Sequence, residues 1–299
     1  SRVRYGGQAP NNLKTTALTS MRRAVRTGKP VSRQTALAVL KAGPADLPEI
    51  MACASAMRMK YFGNRIHLCS IVNAKSGACS EDCAFCAQSV RHKTRAGVYS
   101  LYSAAKIVRA MKKAARSPID HFGIVTSGSA LGRSGVGQVC DAVRLLKQPG
   151  VAWCASLGAV DKDLLRALRR AGVKRFHHNL ETARSFFPKI CSTHSFDDRL
   201  RTLRSIRKAG LEVCSGGILG MGESLAQRVE FAEVLADEGV DSIPLNFLVP
   251  IAGTPLAKRK PMSPLDILKT IAMFRMTNPR AEIKVCAGRI HLRDLQSMI

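Results

Sequence analysis

The chain has 299 residues, of which 46% are hydrophobic and only 5% aromatic, so a large core built mainly from aliphatic side chains is expected. Its 47 Lys and Arg residues against 21 Asp and Glu give a formal net charge of +26. No apolar run reaches the length of about 18 residues that a transmembrane helix needs, and the basic N-terminus lacks the apolar core of a signal peptide. A cytoplasmic location without a membrane partner is therefore predicted.

The excess of positive charge could indicate a polyanionic partner, because such a field attracts nucleic acid. However, the basic residues are spread along the whole chain, and few aromatic residues lie among them to stack on bases. The runs MKKAAR (111–116), RALRRAGVKR (166–175) and RTLRSIRKAG (201–210) are typical of the solvated faces of helices. Nucleic acid is therefore not the expected partner, and attraction of small anionic substrates is a second interpretation of the charge.

The predicted elements begin with a basic N-terminal segment and two leading helices, at 32–43 and 47–63, which together form a region 1–62. From residue 66 the chain repeats one unit, a short apolar or β-branched run followed by an amphipathic helical stretch. The predicted strands are 66–73, 121–128, 151–158, 175–182, 212–219, 242–249 and 282–289. The helices predicted between them include 161–172, 195–210 and 224–239, which open at Ser or Asp and end at Gly.

This alternation predicts an α/β fold with parallel strands joined by right-handed crossovers. Seven strands fit a TIM-type (β/α) barrel over 63–299, with an N-terminal helical extension, better than a short open sheet. The residues after 289 read as helix up to Ile299, so an eighth strand is not expected in this chain. In such a barrel, function is expected at the C-terminal ends of the strands and in the loops that follow them.

The ten cysteines are interpreted as free thiols, because disulfide frameworks belong to small secreted chains. Cys79, Cys83 and Cys86 lie together in the stretch GACSEDCAFCAQS, in the loop after the first predicted strand. Three thiolates on a cubane cluster leave one iron free for a substrate or cofactor. Zinc is the alternative, but it would need a fourth ligand nearby, for which His92 is the nearest candidate.

The spacing of these cysteines after the first strand of a predicted barrel resembles the radical S-adenosylmethionine superfamily. Further blocks narrow the resemblance to the biotin synthase family. They are NAKSGACSEDCAFCAQSVRHKT, HHNLET, VCSGGILGMGE, PLNFLVPIAGTPL and CAGR, and they occur in the family's order between residues 66 and 289. The resemblance implies a sulfurtransferase that inserts sulfur into dethiobiotin by means of a 5′-deoxyadenosyl radical.

The same resemblance implies roles for individual residues. Cys79, Cys83 and Cys86 would hold the radical-generating [4Fe–4S] cluster, whose open iron binds S-adenosylmethionine. The implied S-adenosylmethionine contacts are Phe85, Asn179, Glu181, Arg199, Ile218 and Val249. Phe85, Ile218 and Val249 would surround the adenine, and Arg199 would pair with the carboxylate.

In the same way, Glu181 stands where the family usually has Asp, facing the ribose hydroxyls. Asn246, together with Asn179, would bind dethiobiotin. No side chain is implied as a catalytic acid, base or nucleophile. The resemblance further implies an electron donor such as flavodoxin or ferredoxin, and a homodimer.

The biotin synthase family usually carries a second, [2Fe–2S] cluster inside the barrel, which gives up a sulfide and is held by three Cys and one Arg. This chain has Gly123 in place of one cysteine and Lys284 in place of the arginine. Four other cysteines lie on the first, third, fifth and seventh predicted strands: Cys69, Cys154, Cys214 and Cys286. Because barrel layers take four side chains from alternate strands, these four thiols are predicted to hold an auxiliary iron–sulfur cluster.

An all-cysteine ligand set favours a four-iron type of auxiliary cluster over [2Fe–2S]. The alternative is that the four cysteines are small hydrophobic residues of the core. The remaining three, Cys53, Cys140 and Cys191, are interpreted as structural.

Two other functions stay open. One is a related radical enzyme with another substrate, such as a maturase or mutase, against which Asn246 and the CSGG block argue. The other is a basic iron–sulfur protein that binds nucleic acid and has no radical chemistry. Salt-dependent binding of DNA or RNA without cleavage of S-adenosylmethionine would favour that interpretation.

Overall fold

The computed structural model describes residues 15–146 and 150–299 and shows a parallel sheet surrounded by helices. The strands are β1 (Cys69–Lys75), β2 (His121–Thr126), β3 (Ala152–Ser156), β4 (Val173–His177), β5 (Glu212–Cys214), β6 (Gly217–Leu219), β7 (Ser242–Phe247) and β8 (Glu282–Val285). The helices are α1 (Thr15–Thr27), α2 (Arg33–Lys41), α3 (Leu47–Phe62), α4 (Ala104–Ala114), α5 (Arg133–Leu145), α6 (Lys162–Ala171), α7 (Phe196–Lys208), α8 (Leu225–Asp237) and α9 (Pro264–Thr277). Residues 1–14 of the predicted N-terminal segment lie outside the described residues.

The two predicted leading helices correspond to α2 and α3, and α1 precedes them. Helices α2 and α3 pack chiefly on α9, α2 also packs on α8, and α1 packs on α2 and α3. The N-terminal extension therefore adds to the outer helical layer. Over the two described stretches, no helix combines the length and apolarity needed to cross a membrane.

The sheet confirms the seven predicted strands, with one difference. The predicted strand 212–219 is divided into β5 and β6, which occupy successive parts of one position beside β7. The break falls at Ser215 and Gly216, where the chain also approaches the loop after β4 through a bridge between Glu181 and Gly217.

The strand order is β1-β2-β3-β4-β5-β7-β6, with β8 also paired to β7, and every ladder is parallel. Among the described residues no strand follows β8 and no ladder joins β8 to β1. Side chains link these two edges instead. His67 Nδ1 lies 2.7 Å from Glu282 Oε1, and Lys284 Nζ donates to Cys69 Sγ at 3.0 Å.

Alternation along the strands separates an outer apolar face from an inner polar one. On β2 and β3, Phe122 and Trp153 lie side by side and buried, with their ring centroids 5.6 Å apart in an edge-to-face arrangement. The residues that directly follow them, Gly123 and Cys154, are also register partners and point to the opposite, inner face. The inner face of the strands, which carries residues such as Cys154, therefore lines the interior of the barrel.

The predicted helices 161–172, 195–210 and 224–239 are confirmed as α6, α7 and α8, with the expected caps. Asp161 accepts the N–H groups of Asp163 and Leu164 at the start of α6, and Gly172 ends the helix in the left-handed conformation. Ser195 and Ser224 open α7 and α8 in capping boxes.

One part of the charge interpretation is wrong. Arg175, the last residue of the run RALRRAGVKR, is not on a solvated helix face but buried on β4. Its guanidinium binds Glu212 at 2.8 Å and Glu282 at 2.7 Å inside the barrel. Because a buried charge is tolerated only when it is paired, these two carboxylates explain why an arginine can lie there.

Candidate active site

A cavity of about 380 Å³ lies at the C-terminal ends of the strands, the position at which a barrel is expected to carry its site. Seven predicted site residues line it: Cys79, Phe85, Cys83, Cys86, Asn179, Glu181 and Arg199. They come from three separate segments, the loop after β1, the loop after β4 and the first turn of α7. The C-terminal ends of β2 and β3 and the loops after them also line it, and the sequence alone did not single these residues out: Val125, Thr126, Ser127, Gly128, Ser129, Ser156, Gly158 and Ala159.

The cysteine loop is held by its own backbone and by one glutamine side chain. Gln88 Oε1 accepts from the Ser76 hydroxyl at 3.0 Å and from the Gly77 amide at 2.6 Å. The Cys79 amide and carbonyl bond to the backbone of Gln88 and Val90. These bonds close the loop on itself, so that its three thiols face the cavity together.

The thiols of this loop are enclosed. Burial raises the pKa of Cys86, and the contact with Cys191 together with burial raises that of Cys83. Both thiols therefore stay protonated at neutral pH until a metal displaces the proton. His92, the fourth ligand considered for zinc, directs its Nε2 to the Cys83 carbonyl oxygen at 3.1 Å and so faces backbone instead of thiols.

Asn179, Glu181 and Arg199 form one hydrogen-bonded group that lines the same cavity. Asn179 Nδ2 donates to Glu181 Oε2 at 3.2 Å, and Arg199 donates to the Asn179 carbonyl oxygen at 2.9 Å. The guanidinium also lies 3.5 Å from Glu181 Oε1 and donates through Nε to His194 Nε2 at 2.9 Å. The group presents a cation, a carboxylate and an amide side by side at the edge of the cavity.

Two glycines in the CSGG block allow neighbouring backbone segments, including that of Glu181, to approach closely. A Cβ on Gly217 would lie 2.0 Å from the Glu181 carbonyl oxygen, and one on Gly216 would lie 2.0 Å from the Pro244 carbonyl oxygen. Glu181 itself has a φ of 71°, a left-handed conformation that is costly for a residue with a side chain. The glycines therefore serve close approach of three backbone segments, which explains the break between β5 and β6.

The structure does not bring every predicted contact to this cavity. Ile218 lies on β6 and Val249 after β7, and neither lines it. Asn246 on β7 is also outside its wall, and its amide bridges two backbone groups. Its Nδ2 donates to the Gly217 carbonyl oxygen and its Oδ1 accepts from the Ala287 amide, both at 3.1 Å.

The four strand cysteines lie close enough to influence each other's ionisation. Burial raises the pKa of Cys154 to about 12; Arg175 opposes this rise, and the thiols of Cys214 and Cys69 add to it. Burial likewise raises the pKa of Cys286 to about 11, again with contributions from Cys214 and Cys69. Cys286 directly follows β8 instead of lying within it, but its amide still bonds to Leu245 of β7.

Two further polar side chains contact these thiols. Lys284 donates to Cys69, as described above, and its pKa is raised because Cys69 and Glu282 outweigh the opposing effect of burial. His177 places Nδ1 3.3 Å from Cys214 Sγ, a contact that sequence reasoning missed. Its place in the HHNLET block, two residues before Asn179, was the available signal.

Of the three cysteines interpreted as structural, Cys53 on α3 and Cys140 on α5 are buried in the core, as expected. Cys191 is buried in the core as well, but it also has a thiol neighbour. Its Sγ lies 3.8 Å from Cys83 Sγ, against one of the three thiols of the cysteine loop.

A second cavity, of about 600 Å³, opens at the opposite end of the barrel, beneath the N-terminal ends of the strands. Its wall is formed largely by charges that are already paired, including Arg175 with Glu212 and Glu282, and Arg65 with Asp120. It is larger than the first cavity but holds none of the ten cysteines. The predicted site residues therefore line the smaller one.

Comparison with known proteins agrees with this geometry. Residues 74–235 match the family model described as the radical SAM superfamily, and residues 244–299 match the biotin and thiamin synthesis associated domain. A biotin synthase from Maridesulfovibrio salexigens is 52% identical over 277 residues, 92% of this chain and 85% of that protein. A biotin synthase from Pelotomaculum thermopropionicum is 46% identical over 92% of this chain and 86% of that protein.

Among solved structures, methylornithine synthase (PylB) superposes with a TM-score of 0.77 at 20% identity, covering 88% of this chain and 78% of that one. The [FeFe]-hydrogenase maturase HydG superposes with a TM-score of 0.75 at 17% identity, covering 90% of this chain and 62% of that one. These likenesses confirm the TIM-type radical SAM barrel fold. With its family models and its relatives taken together, the chain belongs to the biotin synthase family of the radical S-adenosylmethionine superfamily.

Proposed function

We propose that this chain is a radical S-adenosylmethionine sulfurtransferase that inserts sulfur into dethiobiotin. The observation that carries the proposal is the convergence of the three-cysteine loop with Asn179, Glu181 and Arg199 around one cavity at the C-terminal mouth of the barrel. Family membership implies a [4Fe–4S] cluster and S-adenosylmethionine as cofactors. The named relatives are biotin synthases, which supports dethiobiotin as the substrate.

The donor set of the cysteine loop fits such a cluster. Cys79, Cys83 and Cys86 would bind three of its irons, and three thiols in one short loop leave the fourth iron for the amino and carboxylate groups of S-adenosylmethionine. When bound, the cluster supplies the single electron that splits S-adenosylmethionine into methionine and a 5′-deoxyadenosyl radical. The protein's part is to bind, orient and shield the reactants.

Arg199, Glu181 and Asn179 would orient S-adenosylmethionine. The Arg199 guanidinium would bind the carboxylate, since a planar fork of donors matches that group. Glu181 would accept hydrogen bonds from the two ribose hydroxyls, and Asn179 beside it would contact both cofactor and substrate. Their mutual hydrogen bonds hold all three in place before any ligand arrives.

The adenine would lie against Phe85, with Ile218 and Val249 beyond it. Asn246 would bind the ureido ring of dethiobiotin. Since its amide already bridges the Gly217 carbonyl and the Ala287 amide, its second Nδ2 proton and its second oxygen lone pair remain for the ligand. An amide fixed in this way recognises a urea group, which offers the complementary N–H and C=O edges.

The sulfur would come from an auxiliary cluster bound by Cys69, Cys154, Cys214 and Cys286. Their mutual effect on pKa supports a shared site, and a four-thiolate donor set suits an iron–sulfur cluster. Lys284 does not replace the usual arginine as a ligand here, because its ammonium donates to Cys69 Sγ and has no lone pair for iron. Gly123 supplies no ligand either. We therefore favour a four-iron cluster on four thiolates over a [2Fe–2S] cluster.

Anaerobic turnover tests the main proposal. Reconstituted protein is given dethiobiotin, S-adenosylmethionine and a reductant, and biotin and 5′-deoxyadenosine are measured together. Formation of both supports sulfur insertion. Formation of 5′-deoxyadenosine without biotin would point to a related radical enzyme with another substrate, and formation of neither would reject radical chemistry.

Iron and sulfide content tests the auxiliary site separately. Two four-iron clusters predict about eight irons per reconstituted chain. Replacing Cys69 and Cys286 by Ala should leave about four, all in the radical cluster. A total of about four irons that does not change with these replacements would reject the auxiliary cluster.

A further inference from the structure

The loop before α7, residues 190–195, packs directly on the cysteine loop and brings a second thiol and an imidazole to it. Cys191 Sγ lies 3.8 Å from Cys83 Sγ, 3.3 Å from His194 Nδ1 and 3.2 Å from Asp82 Oδ1. Ligand atoms of Cys83, Cys191 and His194 all lie within 4.8 Å of one another, and both thiols are buried. These four donors come from two segments about one hundred residues apart in sequence.

The contact between the two loops is fixed by backbone bonds. The Asp82 carboxylate accepts the amide N–H of Ser192 at 3.0 Å and that of Thr193 at 3.2 Å. The Ala84 amide donates to the Ile190 carbonyl oxygen at 2.8 Å. These bonds hold together the backbones that carry the two thiols.

The distances are those of ligands around one tetrahedral ion. Two thiolates bound to zinc at about 2.3 Å lie about 3.8 Å apart at the tetrahedral angle, and a thiolate and an imidazole nitrogen lie about 3.5 Å apart. The observed separations are 3.8 Å for Cys83 and Cys191 and 3.3 Å for Cys191 and His194. Thiolate, imidazole and carboxylate are also the ligand types that zinc and ferrous iron accept.

We propose that Cys83, Cys191, His194 Nδ1 and Asp82 Oδ1 bind a single divalent transition-metal ion, ferrous iron or zinc, when the radical cluster is absent. Binding is not a redox step, since the ion stays divalent and binds both sulfurs as thiolates, and any thiol proton that it displaces goes to solvent. The ion takes the place of the proton that Nδ1 now donates to Glu81. That ring proton moves to Nε2, where it displaces the Arg199 Nε–H now bonded there.

Two consequences follow for the enzyme. Cys83 cannot serve the single ion and the radical cluster together, so the two metal groups exclude each other. Displacement of Arg199 also takes away the proposed partner of the S-adenosylmethionine carboxylate. The ion-loaded chain is thus a cluster-free form that does not bind the cofactor. Ferrous iron in this site would precede cluster assembly, whereas zinc in this site would block cluster assembly. The inference concerns the metal alone and stands whatever the substrate is.

Cobalt titration of the cluster-free full-length chain tests the site. The other two groups of thiols are first removed with Cys79→Ala and Cys86→Ala in the loop and with Cys69→Ala, Cys154→Ala, Cys214→Ala and Cys286→Ala in the auxiliary set. Under anaerobic conditions Co²⁺ should bind at one ion per chain and show the absorption of cobalt bound to two thiolates. Zn²⁺ or Fe²⁺ should displace it. In this background Cys191→Ser or His194→Gln should weaken binding at least about tenfold, since even an outer-shell partner is worth that much.

Cys140→Ser in the same background is the matched control, because Cys140 is buried on α5 away from both loops. It should leave cobalt affinity unchanged, and circular dichroism of every variant must match the parent. Equal affinity in the Cys191→Ser and Cys140→Ser proteins would overturn the proposal, as would failure of both Zn²⁺ and Fe²⁺ to displace cobalt. In the unaltered chain, reconstitution of the radical cluster should release bound zinc. Zinc that stays on Cys83 alongside the cluster would also overturn it.

Discussion

Replacing Gly217 by Ala should weaken S-adenosylmethionine binding by displacing the backbone, although no side chain proposed to bind the cofactor is changed. The new Cβ would lie 2.0 Å from the Glu181 carbonyl oxygen, whereas ordinary contacts begin at 3.4 Å. The loop must therefore move by about 1.4 Å, the difference between these distances. Because Glu181 already has a positive φ, it has little freedom to absorb the movement. A displacement of this size costs about a hundredfold in a positioned site.

The assay is S-adenosylmethionine binding to reconstituted protein, followed by 5′-deoxyadenosine formation. Gly217→Ala should lower binding by about a hundredfold and reduce the free energy of unfolding by about 1–3 kcal/mol, as overpacking does. Gly137→Ala is the matched control, because it lies within α5 with nothing within 4 Å of the added Cβ. It should raise stability by about 0.5–1 kcal/mol and leave binding unchanged. Normal cofactor affinity in Gly217→Ala would refute the reasoning.

Three further predictions concern charged and titratable side chains. Arg199→Lys should raise the KM for S-adenosylmethionine about tenfold to a hundredfold, because a charged hydrogen bond is lost; an unchanged KM would remove Arg199 from the cofactor site. Glu282→Gln leaves buried Arg175 with one carboxylate partner and should cost about 3 kcal/mol in urea unfolding. Glu49→Gln, which breaks the exposed pair with Arg22, should cost less than about 1 kcal/mol, and equal costs would contradict this account. Burial lowers the pKa of His121 to about 4, against about 6.5 in an unfolded chain. The unfolded chain therefore binds more protons between these values, so stability should fall as the pH drops from about 6.5 to about 4. His121→Gln should flatten that slope, and equal slopes would show that His121 does not cause it.

The periodic parts of the fold could be predicted because their signals are local. Strand runs, helix caps and the spacing of Cys79, Cys83 and Cys86 are each contained in a few consecutive residues. The break in the fifth strand could not be predicted in this way. The run EVCSGGIL reads as one strand, and only the approach of the Glu181 and Pro244 carbonyls to the two glycines divides it.

Two residues have partners far away in sequence that local patterns do not reveal. Arg175 belongs to a basic run, and its burial becomes reasonable only once Glu212 and Glu282 are known to face it from other strands. Cys191 lies 108 residues after Cys83, and nothing local distinguishes it from Cys53 or Cys140. Family resemblance located Asn179 and Arg199, but it did not show that these two residues bond to each other.

The two proposed cluster sites are built on different kinds of backbone. Cys79, Cys83 and Cys86 lie on a loop closed by its own hydrogen bonds. Cys69, Cys154 and Cys214 lie on strands, whose ladders fix their positions to the precision of the sheet. A sulfur donor must stand at a set distance from a carbon radical that forms on the neighbouring site, because misplacement by about 1 Å is costly. Rigid strands meet that requirement. Replacements on the strands should therefore reduce biotin formation while 5′-deoxyadenosine still forms, and replacements in the loop should abolish both.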